Sequence, residues 1–174
     1  MLLLVAAPTA LLAADSLQAI ADRTLIRELM DRYGLVHDSG TPEEYAGLFT
    51  VDGEIAVAPG GPAIVKGREA LVAQARRDHE RFDTEPTAGG GTTSIMRHLI
   101  SDAQITLTGP KTATGTCYVT TVVKKGTLGP AILSISRYTD RYVKESGEWR
   151  IQRREITTEQ GNAELGKQLG FGGR

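Results

Sequence analysis

The chain has 174 residues, enough for one domain with a sizeable hydrophobic core. Apolar residues make up 40% and charged residues 24%, a balance that fits neither a disordered chain nor an integral membrane protein. The 20 Lys and Arg nearly cancel the 21 Asp and Glu, so no basic excess draws the chain onto nucleic acid. The single cysteine, Cys117, allows no internal disulfide, and its strand-like surroundings read as those of a buried, inert thiol. His37, His79 and His98 lack close metal-ligand spacing, so no metal centre is expected.

Residues 1–14 are apolar and small, too few to span a bilayer. They resemble the apolar part of a secretory signal, with Ala13-Ala14 before Asp15 as a cleavage site. The basic residue that opens such signals is missing, which leaves a cytoplasmic leader open as well. Localisation, cytoplasmic or periplasmic and secreted, therefore stays undecided. Residues 15–160 read as one domain and residues 161–174 as a loose, glycine-rich tail with a short helix around 163–169.

From Asp15 or Ser16, either of which can cap a helix, apolar residues recur at three- and four-residue steps through Leu17, Ile20, Leu25, Leu29 and Tyr33. Gly40 stops this helix. Thr41, Pro42 and Glu44 form a capping box with a proline lead, opening a second helix that carries Tyr45, Leu48 and Phe49 inward and is expected to run to Asp52-Gly53. A hairpin follows over residues 54–66, turning at Pro59-Gly60-Gly61-Pro62, and a third helix is expected over residues 68–79. Residues 83–93, with Gly89-Gly90-Gly91, read as a surface loop rather than a phosphate cradle, since neither a Walker lysine nor a helix start follows. Four β-rich runs, residues 95–107, 112–124, 130–143 and 148–158, then predict an antiparallel meander. A sheet of this kind needs a cover, and the N-terminal helices supply it, so the class is α+β.

Four polar residues stand in otherwise apolar surroundings: Tyr33, Asp38, His98 and Arg154. Asp38 lies in the last turn of the first helix, where the helix dipole disfavours an acid. Alone, it reads as a turn residue leading into Ser39-Gly40. Taken singly, His98 reads as a partly buried structural histidine, and Arg154 as a solvated strand residue or ion-pair partner. Strand alternation groups Trp149, Ile151 and Arg153 on one face and Arg150, Gln152, Arg154 and Ile156 on the other. His37 precedes Asp38 but points about 100° away around the helix, mostly away from any pocket Asp38 would face.

Six short pieces, in order, carry a resemblance: the helix ending in Asp38-Ser39-Gly40, the segment from Tyr45 to Gly53, Gly67-Arg68-Glu69-Ala70-Leu71, Arg97-His98, Arg137-Tyr138-Thr139-Asp140, and Gly147-Glu148-Trp149-Arg150-Ile151 with Arg154 beyond. Over roughly residues 16–158 the chain resembles the SnoaL-like branch of the nuclear transport factor 2-like superfamily. That resemblance implies a cone-shaped α+β barrel, with N-terminal helices on a strongly curved, mostly antiparallel sheet that opens at one end into an apolar pocket. In scytalone dehydratase, hexachlorocyclohexane dehydrochlorinase and bile acid 7α-dehydratase an Asp–His pair stands in the pocket, at positions that Asp38 and His98 match. Arg154 matches an arginine of the last two, and Tyr33 a tyrosine of the bile acid enzyme. The strand over residues 117–123 offers only Tyr118 and threonines, so the second histidine of scytalone dehydratase has no counterpart, and Thr121 stands where the bile acid enzyme has a further aspartate.

The resemblance implies a cofactor-independent lyase, a dehydratase or related β-elimination enzyme, for a small, largely apolar cyclic or aromatic compound. His98 is expected to act as general base, Asp38 to orient it, and Arg154 or Tyr33 to bind the leaving group or a developing enolate. An isomerase or cyclase using the same pocket, with Asp38 itself as base and Tyr33 or Tyr118 as oxyanion partner, is a second reading. A third is a non-catalytic ligand-binding or oligomerisation module, such as a ring-hydroxylating dioxygenase β-subunit. Expected partners are a small-molecule substrate and further copies of the chain in a dimer or trimer, with no nucleic acid and no membrane.

Overall fold

The computed structural model describes residues 9–125 and 128–170. Of the leader expected over residues 1–14, residues 1–8 lie outside the described residues, and its cleavage site, Ala13-Ala14 before Asp15, falls within a helix. Among the described residues four helices and eight strands follow in chain order: α1 (Thr9–Ser39), α2 (Pro42–Gly47), β1 (Phe49–Ala56), β2 (Ala63–Lys66), α3 (Arg68–Phe82), β3 (Glu85–Pro86), β4 (Thr92–Thr93), β5 (Met96–Gly109), β6 (Thr112–Lys125), β7 (Leu128–Glu145), β8 (Glu148–Gly161) and α4 (Ala163–Gln168). Among the described residues no helix is long and apolar enough to cross a membrane.

The main sheet has the order β2-β1-β8-β7-β6-β5. β5 to β8 form the expected antiparallel meander. β1 joins it in parallel with β8, setting Phe49 against Ile151 and Ile55 against Arg154. A parallel neighbour is reached only by a long crossover, so no turn signal announces this pairing. The sheet is therefore mixed and open-edged, with β2 and β5 at its margins, rather than a closed barrel. The glycine-rich segment holds the two-residue strands β3 and β4, and Gly89, Gly90 and Gly91 between them are exposed.

Three expectations about the helices change. The first helix is already formed at Thr9, so neither Asp15 nor Ser16 caps it. Its apolar stripe reaches the core only in its second half: Ile26, Leu29, Met30 and Tyr33 are buried, whereas Leu17 and Ile20 stand exposed. Asp22 marks the change, accepting hydrogen bonds from Lys144 Nζ (2.7 Å) and Trp149 Nε1 (2.9 Å) and so tying mid-helix to the β7–β8 end of the sheet. The second helix keeps its capping box, Thr41 with Glu44, but stops at Gly47. Phe49 to Asp52 are strand, because Leu48 O accepts from Ile151 N (2.9 Å) and the chain is captured by β8.

The core lies between the helices and the inner sheet face, built on Phe49, Leu71, Val119, Tyr142 and Ile151. A smaller cluster, Phe82, Met96, Val123 and Leu165, fixes α4 against the sheet, so the tail is packed through residue 168 rather than loose. The register of β7 on β8 slips between Arg141 and Tyr142, opposite Gln152. The extra residue turns Arg154 to the same inner side as Trp149 and Ile151, overturning the face that simple alternation gives it.

Candidate active site

At Gly34 α1 passes close against β5: a Cβ there would lie 2.9 Å from the carbonyl oxygen of His98. One turn later α1 presents Asp38 to the edge of the sheet. The His98 N–H, on edge strand β5, donates to Asp38 Oδ2 at 2.8 Å. Asp38 Oδ1 lies 2.7 Å from His98 Nδ1, so one carboxylate holds both the backbone and the ring of the histidine. Both side chains are 7% exposed. The acid that stands against the helix dipole thus completes a sheet edge and orients an imidazole. With Nδ1 committed to Asp38, Nε2 is the ring nitrogen left for chemistry.

His98 faces a cavity of about 630 Å³. Tyr33, His37, Tyr45 and Tyr138 share its wall with His98, Ile55, Val65, Phe82 and Ile156 supply apolar surface, and Thr121 stands opposite His98 in the β5–β6 register. Tyr33 and Tyr45 bring their hydroxyls to 3.5 Å of each other. Burial pushes the Tyr45 and Tyr138 phenols well above their ordinary value, so they stay protonated donors. Tyr118 is 39% exposed, and the inner positions of β6 belong to Cys117, Val119 and Thr121. It cannot act as the oxyanion partner of an inner site. Burial raises the Cys117 thiol to about 11, which keeps it unreactive at neutral pH.

Arg154 and Asp38 do not line this cavity. Arg154 is fully buried, donating through Nε and Nη2 to the two oxygens of Asp140 at 2.9 and 2.6 Å. Burial works against its charge, but Asp140 holds the guanidinium protonated, above its ordinary value. Its Cζ lies 3.9 Å from the Tyr33 ring centroid and 4.7 Å from that of Tyr138, so the rings stand between the cation and the cavity. The structure therefore brings Tyr33, Asp38 and His98 together directly, and sets Arg154 behind them.

His37 is the residue sequence reasoning placed wrongly. It is 7% exposed, stacks on Tyr33 (5.6 Å, 23°) and meets the His98 ring edge to face at 4.5 Å. Its Nε2 lies 3.4 Å from Asp78 Oδ2 on α3, while its Nδ1 is buried without a hydrogen-bond partner. Adjacent helical residues diverge by about 100°, yet a site enclosed on several sides receives both. Asp78 carried no signal at all, because its partner is 41 positions away and on another helix. Ligand atoms of His37, Asp38 and His98 lie within 4.8 Å of one another, close enough to converge on one cation despite their lack of local spacing. Both Asp38 oxygens are already engaged by His98, so an ion there would have to break that pair.

Residues 18–155 match the model of the SnoaL-like domain, and the chain belongs to that family, within the nuclear transport factor 2-like fold. The family includes dehydratases, cyclases and isomerases. A nuclear transport factor 2-like protein with a cystatin-like fold from Novosphingobium aromaticivorans is similar at 28% identity, over 94% of this chain and 98% of that one, with a TM-score of 0.70. A candidate scytalone dehydratase from the same organism is 25% identical over 84% and 90% of the two chains, TM-score 0.67. Rv3472 of Mycobacterium tuberculosis, of unknown function, is 27% identical over 82% and 79%, TM-score 0.65. No curated protein matches the chain.

Proposed function

We propose that this protein is a cofactor-independent lyase, a dehydratase or related β-elimination enzyme, acting on a small, largely apolar cyclic or aromatic compound. The observation that carries the reading is the 2.7 Å contact of Asp38 with His98 on the wall of an otherwise mostly apolar cavity. Asp38 keeps the proton on Nδ1, so Nε2 offers a lone pair to a C–H made acidic by a neighbouring carbonyl or aromatic system. The carbon–hydrogen electrons form the new double bond, the leaving group departs with its own pair, and the imidazolium returns its proton to a leaving hydroxide or to solvent. Asp38 stabilises that imidazolium while it lasts.

Tyr33 and Tyr45, whose hydroxyls share the same wall, donate to the leaving oxygen or to the developing enolate. Arg154 acts as a positioning residue in this reading, its charge set under the Tyr33 and Tyr138 rings by Asp140. The test is a panel of hydroxylated and halogenated cyclic compounds, scored for loss of water or halide, with wild type, His98→Ala and Asp38→Asn. Turnover by wild type and its collapse in both folded variants supports the reading. An isomeric product would instead make the protein an isomerase with the same base, and equal rates in all three proteins would reduce the pair to a structural brace.

A further inference from the structure

We infer that Asp78, braced by His37 and Gln74, forms a second polar subsite of the cavity that receives a hydroxyl group of the ligand. The inference rests on the cavity being the ligand site proposed above. His37, Gln74 and Asp78 all line that cavity, on α1 and α3, beside the Asp38–His98 pair. Gln74 Nε2 donates to Asp78 Oδ2 at 2.8 Å, and His37 Nε2 addresses the same oxygen at 3.4 Å. Both braces therefore reach Oδ2, which leaves Oδ1 as the acceptor for a ligand.

The protonation of the group agrees with its geometry. Burial pushes Asp78 upward, but the contacts from His37 and Gln74 outweigh it and hold the carboxyl below its ordinary value. Burial, with the nearby His98, lowers His37 despite Asp78, so the imidazole is neutral at neutral pH. A neutral imidazole that directs its N–H at a carboxylate has only a lone pair on its other nitrogen. The subsite is thus rich in acceptors and poor in donors, and Nδ1 of His37 is buried without one. A ligand hydroxyl is the uncharged donor that Asp78 Oδ1 accepts from. An ammonium would bring a charge into a cavity walled by Ile55, Val65 and Phe82, at a much greater desolvation cost. An anion would be repelled by the Asp78 carboxylate.

The division of labour that follows is simple: His98 works at a carbon, while Asp78 fixes an oxygen elsewhere on the same molecule. Equilibrium binding tests this without any turnover, so a failed elimination assay leaves the experiment intact. Isothermal titration would compare 2-naphthol with 2-methoxynaphthalene, which differ in the hydroxyl donor. Wild type should prefer 2-naphthol by about tenfold or more, because a buried acceptor left unpaired penalises the ether. That preference should fall to about threefold or less in Asp78→Ala and in His37→Phe, each shown to be folded by circular dichroism, and persist in His98→Ala. Should Asp78→Ala fail to fold, Gln74→Leu decides, with the same direction expected. An undiminished preference in the folded Asp78 variant, its loss in His98→Ala alone, or its absence from wild type would overturn the inference.

Discussion

At the scale of single residues, the site is a set of charges kept buried by specific partners. Arg154 and Asp140 are 0% and 1% exposed, and each depends on the other. Removing one charge strands its partner: Asp140→Asn should cost about 3–5 kcal/mol in urea unfolding, whereas the apolar double variant Asp140→Leu/Arg154→Met should cost much less. Equal losses in the two would show that the pair is held by packing rather than by charge. His37 gives a pH signature. Its folded-state value lies below the ordinary 6.5, so the unfolded chain takes up this proton first as pH falls. The stability that neutral His37 contributes is therefore complete above about pH 6.5 and is lost progressively below it. The melting temperature of wild type should drop more between pH 7 and 5 than that of His37→Phe. Parallel curves would remove His37 as the source.

At the scale of elements, the site exists because α1 can lie close against an edge strand. Gly34 permits that approach, and the last turn of α1 then delivers Asp38 to β5. Gly34→Ala places a methyl group 2.9 Å from a backbone carbonyl that cannot swing aside, which should cost about 1–3 kcal/mol and lengthen the Asp38–His98 contact. Thermal melts read the first effect and loss of turnover the second; an unchanged melt would mean α1 has room to shift. The elements also show where sequence patterns inform and where they cannot. The capping box at Thr41 and the β-rich runs after residue 95 are local signals, and they correspond to α2 and to the meander. The parallel pairing of β1 with β8, the bulge opposite Gln152 and the contact of His37 with Asp78 are set by distant partners. No window of neighbouring residues contains them. Tyr33, Asp38 and His98 were legible as a set only through their order along the chain. Arg154 was legible as a residue but not in its setting, because its inward turn depends on the bulge.

At the scale of the molecule, one sheet face is core and the other is open. Leu99, Tyr118 and Ile132 stand exposed on the outer side of β5, β6 and β7, at 56%, 39% and 52%. We propose that a second copy of the chain covers them, in keeping with the expected homo-oligomer. Sedimentation should show a dimer or trimer that weakens when Leu99 and Ile132 are both replaced by Lys; a monomeric wild type would contradict the proposal. The inner face holds the cavity and the Asp38–His98 pair. The proposed reaction turns on His98, oriented by Asp38, removing a proton from carbon. The most direct measurement is kcat for His98→Ala and Asp38→Asn against wild type, on the first compound found to lose water or halide, with all three proteins shown to be folded. A fall of about a thousandfold or more is expected in His98→Ala, and a large fall in Asp38→Asn. Turnover within a few-fold of wild type in both variants would contradict it.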